Sequence, residues 1–126
     1  MKSIIFILSI FLLIGCSDSG NKQQLEQPKS LKVLLESNPK KIKINEAVAF
    51  TAEVKYGTEN VSKEAEVQFE IIENGISIGS VFPKNKGDGK YLLETKFFDQ
   101  GQKKVIAHVS YKTLHEMPEL SFQVSN

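Results

Sequence analysis

Apolar and polar residues alternate with a period of two along most of the chain, and this pattern predicts strands. Leu31, Val33 and Leu35 alternate with Lys32 and Leu34. Val48, Phe50, Ala52 and Val54 alternate with Ala49, Thr51, Glu53 and Lys55. The pattern recurs at Val67-Phe69-Ile71, Tyr91-Leu93-Thr95-Phe97, Val105-Ala107-Val109-Tyr111 and Leu120-Phe122-Val124. Turn residues separate the runs: Asn38-Pro39, Tyr56-Gly57-Thr58, Glu73-Asn74-Gly75, Gly87-Asp88-Gly89, Asp99-Gln100-Gly101 and Met117-Pro118. Asn74-Gly75 is a tight-hairpin signal, because both central positions of that turn need positive φ. It predicts a short return strand over Ile76 to Phe82. Gly87-Asp88-Gly89 reads as turn chemistry for the same reason. No stretch carries a helical stripe, and Val61 to Ala65 has room for one helical turn at most.

Short strands with one apolar face each bury that face by packing two sheets together. The expectation is an all-β, immunoglobulin-like antiparallel β-sandwich of six to eight strands over residues 31–126. The single Cys and the absence of Trp remove the disulfide and the Trp common in that fold. The core must therefore rest on Phe50, Phe69, Phe97, Phe122 and the aliphatic residues. A domain of this size buries about 60–70% of its unfolded surface, enough without a cross-link.

The first thirty residues follow other rules. Lys2 precedes an apolar run, Ile4 to Ile14, broken only by Ser9. A membrane-spanning helix needs about 20 such residues, whereas a secretory leader needs roughly 7–15. The run closes on Leu13-Ile14-Gly15-Cys16, which resembles the lipobox of bacterial lipoproteins. The resemblance implies that residues 1–15 are a signal peptide, that Cys16 becomes the first mature residue, and that acyl chains such as palmitate are attached to it. Residues 16–30 hold one large apolar residue, Leu25, and read as a flexible tether spanning about 20 Å.

Charge narrows the function further. The net charge is +1, and loss of Lys2 with the leader makes the mature chain formally neutral. A neutral body has no electrostatic attraction to nucleic acid or anionic lipid. All 16 basic residues are Lys, so no bidentate guanidinium is present. Phosphate-binding Gly loops, Cys-x-x-Cys pairs and nucleophile elbows are absent, which argues against an enzyme. The expected location is the extracytoplasmic face of the cell membrane, through the lipid anchor.

Candidate chemistry gathers in His108-Val-Ser-Tyr-Lys-Thr-Leu-His-Glu-Met-Pro118. Both His residues and the only Met besides Met1 lie there. Imidazole and thioether together suit copper. His115 and Met117 project to one side of an extended segment and form a candidate pair. His108 is a third candidate on the outer face, expected more than about 10 Å away unless the chain folds back. The competing expectation is a surface His beside an apolar plug, in a metal-independent module that binds an envelope protein.

The chain from Leu31 to Val124 resembles the YtkA-like domain lipoproteins of Gram-positive bacteria. The likeness rests on Glu46-Ala47-Val48-Ala49-Phe50-Thr51-Ala52, Val67-Gln68-Phe69-Glu70-Ile71, Gly87-Asp88-Gly89-Lys90-Tyr91, His108-Val109 and Leu114-His115-Glu116-Met117-Pro118. It implies an extracytoplasmic immunoglobulin-like sandwich. His115-Glu116-Met117 also resembles part of the motif of periplasmic copper chaperones. Where members of the YtkA-like group often carry a Met-containing segment, this chain has Ser77-Ile78-Gly79-Ser80-Val81-Phe82-Pro83.

Two acyl chains anchor far more firmly than one. Mass analysis of the protein from its host should show a chain that begins at Cys16 and is heavier than its polypeptide. A native N-terminus at Met1, or a bare polypeptide mass, would remove the anchor.

Overall fold

The computed structural model describes Gly15 and residues 28–126. Most of the expected leader, Cys16 and the tether up to residue 27 lie outside the described residues. The strands are β1 (Leu31–Asn38), β2 (Ile42–Lys43), β3 (Val48–Tyr56), β4 (Glu59–Asn60), β5 (Glu66–Glu73) and β6 (Ile76–Val81). They continue as β7 (Lys84–Gly87), β8 (Lys90–Thr95), β9 (Gly101–Tyr111), β10 (Leu114–Glu116) and β11 (Glu119–Ser125). Three of the eleven have only two or three residues, leaving eight of ordinary length, within the expected range. No helix occurs among the described residues, and Val61 to Ala65 is irregular.

Two sheets form. One runs β1-β3-β8-β7, with β4 attached to β3. The other runs β2-β11-β9-β5-β6, with β10 attached to β9. Every pairing is antiparallel except β2 with β11, which is parallel. Taken in chain order, these are the two sheets of an immunoglobulin-like sandwich, with β3 and β9 at their centres.

The alternation places the core. Phe50, Ala52 and Val54 of β3 are fully buried, as are Phe69 of β5 and Val105, Ala107 and Val109 of β9. Phe50, Phe97 and Phe122 pack as a trio with ring centres 5.3–6.2 Å apart. Such aromatic contacts add about 0.5–1.5 kcal/mol each beyond area burial. They do the work left by the missing cross-link.

Two features depart from the sequence reading. Strand β9 begins four residues earlier than the apolar run, at Gly101, and its inward phase includes Lys103. Lys103 is buried, with its Nζ 3.5 Å from Glu73 Oε1 on the paired strand β5. An apolar pattern cannot reveal a position whose charge is met by a partner thirty residues away. Val61, between β4 and β5, is buried, and its carbonyl accepts the Tyr91 hydroxyl at 2.9 Å. Burial pushes the Tyr91 phenol above its ordinary pKa.

Two turns test the backbone argument. Asn74 and Gly75 have φ of 51° and 79°, the two-residue hairpin expected from Asn-Gly. Gly89 also has positive φ, and a Cβ there would lie 2.6 Å from the Val54 carbonyl oxygen. At Gly75 a Cβ would meet nothing within 4 Å. Gly89→Ala should therefore destabilise more than Gly75→Ala. The latter carries only the φ penalty of about 1 kcal/mol, while the former adds a clash and reaches about 3 kcal/mol. Denaturant unfolding of both variants measures the order, and equal losses would refute the close approach.

Candidate functional site

The outer face of the second sheet carries a shallow groove of about 380 Å³. It is lined by Glu66, Gln68, Glu70, Ser80, His108, Ser110 and His115. Period two explains the set. Glu66, Gln68 and Glu70 are alternate residues of β5, and His108 and Ser110 are alternate residues of β9. Register then joins them: Gln68 faces His108, Glu66 faces Ser110, and Glu70 faces Ser80 of β6.

His115 arrives because the chain folds back on itself. Tyr111 pairs with Leu114 across a two-residue turn, so β10 folds straight back along β9. Lys112 takes a φ of 54° in that turn. No Gly or Asn marks the position, so the usual signal is missing. His115 is thus a strand residue opposite Ser110, and His108 is its diagonal neighbour. The ring centres are 6.2 Å apart, inclined at 40°. The gap of more than about 10 Å expected for a chain that does not fold back closes to this separation, because the chain does fold back.

Met117, the candidate partner of His115, stays apart. Met117 lies beyond the end of β10, half exposed, and does not line the groove. The adjacent Pro118 carbonyl accepts from the Ala107 amide at 3.0 Å, steering the chain from β10 into β11. Glu70, Ser77 and Ser110 carry site chemistry that the sequence reading passed over. Alternation on the polar face was their only signal.

Hydrogen bonds orient the polar groups. Ser77 Oγ–H donates to Glu70 Oε2 at 2.7 Å. His108 Nε2 lies 3.0 Å from Glu70 Oε1, and since a carboxylate only accepts, the imidazole donates. Neutral His108 then keeps its lone pair on Nδ1. Ser110 Oγ and His115 Nδ1 share a hydrogen bond of 2.7 Å. When Nδ1–H donates to Ser110, Nε2 of His115 keeps its lone pair. Each ring thus has one nitrogen held by oxygen and one unclaimed. Among the described residues, no three His, Cys, Asp or Glu side chains converge as a metal cluster.

The Ser77 hydrogen bond, followed by that from His108, holds the Glu70 carboxyl below its ordinary pKa. A lowered folded-state pKa contributes stability that is present above the unfolded value, near pH 4.3, and lost as pH falls through the folded value. The melting temperature of the native protein should drop on acidification through that window. Glu70→Gln should start lower at neutral pH and show a shallower acid decline. Parallel melting curves against pH for the two proteins would exclude this role for Glu70.

Comparisons with known proteins add a distant likeness only. No protein-family model matches the chain, and no curated protein does. Among solved structures, it is similar to a variant of the superoxide reductase (neelaredoxin) from Ignicoccus hospitalis. That match has 15% identity and a TM-score of 0.43, covering 79% of this chain and 82% of that one. The superoxide reductase (neelaredoxin) from Ignicoccus hospitalis gives 17% identity and a TM-score of 0.38, covering 77% and 80%. The likeness is too distant to transfer activity or metal chemistry to this chain.

Proposed function

We propose that this chain is a non-enzymatic, membrane-anchored extracytoplasmic lipoprotein. Its outer-face groove binds copper through His108 and His115, for delivery or sensing. The observation that carries the reading is the pair of imidazoles at 6.2 Å, each oriented by an oxygen partner. Metal-binding His residues ordinarily donate their second nitrogen to such a partner, which sets the tautomer. With metal–nitrogen bonds of about 2 Å, one ion between two rings holds their centres within about 6 Å of each other. Glu66 and Glu70 add negative charge to the same groove, which favours a cation.

Two imidazoles make an incomplete site for most metals. They suit an ion of low coordination number, such as Cu(I), or one that takes further donors from the molecule receiving it. Met117 is the nearest thioether in sequence, and joining the groove would require the β10–β11 connection to move. A second reading, a metal-independent protein-interaction or scaffold module of an envelope complex, is supported by the exposed apolar edge of β6.

Binding to the folded state alone raises stability by about 2.7 kcal/mol when free ion reaches 100 times Kd. For a domain of this size that corresponds to a rise in melting temperature on the order of 10 °C. A titration with Cu(I) under reductant should show this rise in the parent. It should disappear in His108→Ala and His115→Ala and persist in Met117→Ala. An unchanged melting temperature in the parent would end the copper reading.

A further inference from the structure

We propose that strand β6 is an interface through which two copies of this chain pair edge to edge about a two-fold axis. The proposal rests on the interaction reading and is independent of copper. Among the described residues, β6 is the terminal strand of its sheet and pairs only with β5. All six of its residues are exposed. Ile76, Ile78 and Val81 are 69%, 57% and 42% exposed, and the following Phe82 is 72% exposed. From Ile76 to Pro83 the chain has no charge.

The other sheet edges among the described residues are guarded. β7 carries Lys84 and Lys86. β2, β4 and β10 are two or three residues long, and the part of β11 that β2 leaves uncovered carries Glu119. β1 presents Lys32 and Glu36 at exposed positions. Charge and brevity are the usual means of keeping an edge from pairing with another chain. β6 has neither charge nor brevity; its one irregularity is the bulge that leaves Ile78 without a β5 partner, and the backbone on either side of it is open to a further strand.

The order of residues in β6 favours a second copy as that strand. A two-fold interface must be complementary to itself. Ile76-Ser77-Ile78-Gly79-Ser80-Val81 is nearly palindromic in chemistry. When two copies run antiparallel with the axis between Ile78 and Gly79, Ile76 faces Val81, Ser77 faces Ser80, and Ile78 faces Gly79. Apolar residues meet apolar residues and serine meets serine. Beside Gly79 a Cβ would meet nothing within 4 Å, which leaves room for the opposing Ile78. No like charges oppose one another, because the strand carries none. An uncharged strand also has no electrostatic preference for a charged peptide.

The test uses the full chain in detergent. Sedimentation at high micromolar concentration should give twice the chain mass for the parent. Ile78→Lys, at an exposed position, should give a single mass and keep the parent's far-ultraviolet circular dichroism. Leu34→Lys, at an exposed apolar position on β1, should remain double. Directly opposed residues of antiparallel strands have Cα atoms about 4.5–5.5 Å apart, within disulfide range. Copies carrying Ile76→Cys mixed with copies carrying Val81→Cys should therefore cross-link on oxidation, and copies carrying Leu34→Cys should not. A parent of single mass with no such cross-link overturns the dimer. If cysteines at β6 instead trap a different envelope protein, the dimer is overturned and the interaction reading survives. If they trap nothing, both fall.

Discussion

Strand β9 carries the constraint on which core and groove both depend, its register against three neighbours. It pairs with β5 along one edge and with β11 and then β10 along the other. Val105, Ala107 and Val109 are buried between the sheets, while His108 and Ser110 line the outer groove. A slip by one residue would turn every side chain to the opposite face. It would put two polar groove residues into the core and expose three fully buried apolar ones. The apolar alternation that stabilises the sandwich therefore also aims the imidazole. The Phe50–Phe97–Phe122 trio ties that register to the facing sheet, since Phe122 of β11 lies opposite Lys103 of β9 and packs on Phe50 of β3.

The groove's electrostatics follow from the same pleat. Glu70 accepts from Ser77 on one oxygen and from His108 on the other, so its ionised form is the one the surroundings favour. That charge fixes which nitrogen of His108 bears the proton. Ser110 engages His115 through Nδ1. Three hydrogen-bonding side chains, from β5, β6 and β9, thus prepare two rings. These hydrogen bonds, exposed at Ser77 and Ser110 and partly buried at His108, add modestly to stability and chiefly orient the rings.

The strands, the Asn-Gly hairpin and the phenylalanine core were legible because each is a local signal. Alternation marks a strand wherever one face is buried, and Asn74-Gly75 announces positive φ. What could not be read depends on partners distant in sequence. Lys103 looks like a break in the apolar phase of β9 until Glu73 is placed beside it. His115 looks like a loop residue because Lys112 makes the turn with neither Gly nor Asn. Ser77 has no recognisable role until the β5–β6 hairpin sets it against Glu70. The pairing of His115 with Met117 rested on parity along one segment. The sheet instead joined His115 to a residue seven positions earlier, because a hairpin brings diagonal neighbours as close as alternate residues of one strand.

The edge strand and the imidazoles are also connected. Ser77 belongs to β6, whose outer edge is unpaired, and its hydroxyl supports the carboxylate that orients His108. An edge strand bonded on one side is less restrained than a central one, and a β-bulge at Ile71/Ile72 loosens the β5–β6 ladder further. Any strand that paired with β6 would restrain Ser77, and through Glu70 it would narrow the range of His108. The effect would be entropic and would need no change in mean structure. By reciprocity, an ion that fixed His108 would favour the ordered form of β6 and so favour pairing. A strand on β6 and an ion on His108 would thus be linked through Ser77 and Glu70, a link that neither proposal requires.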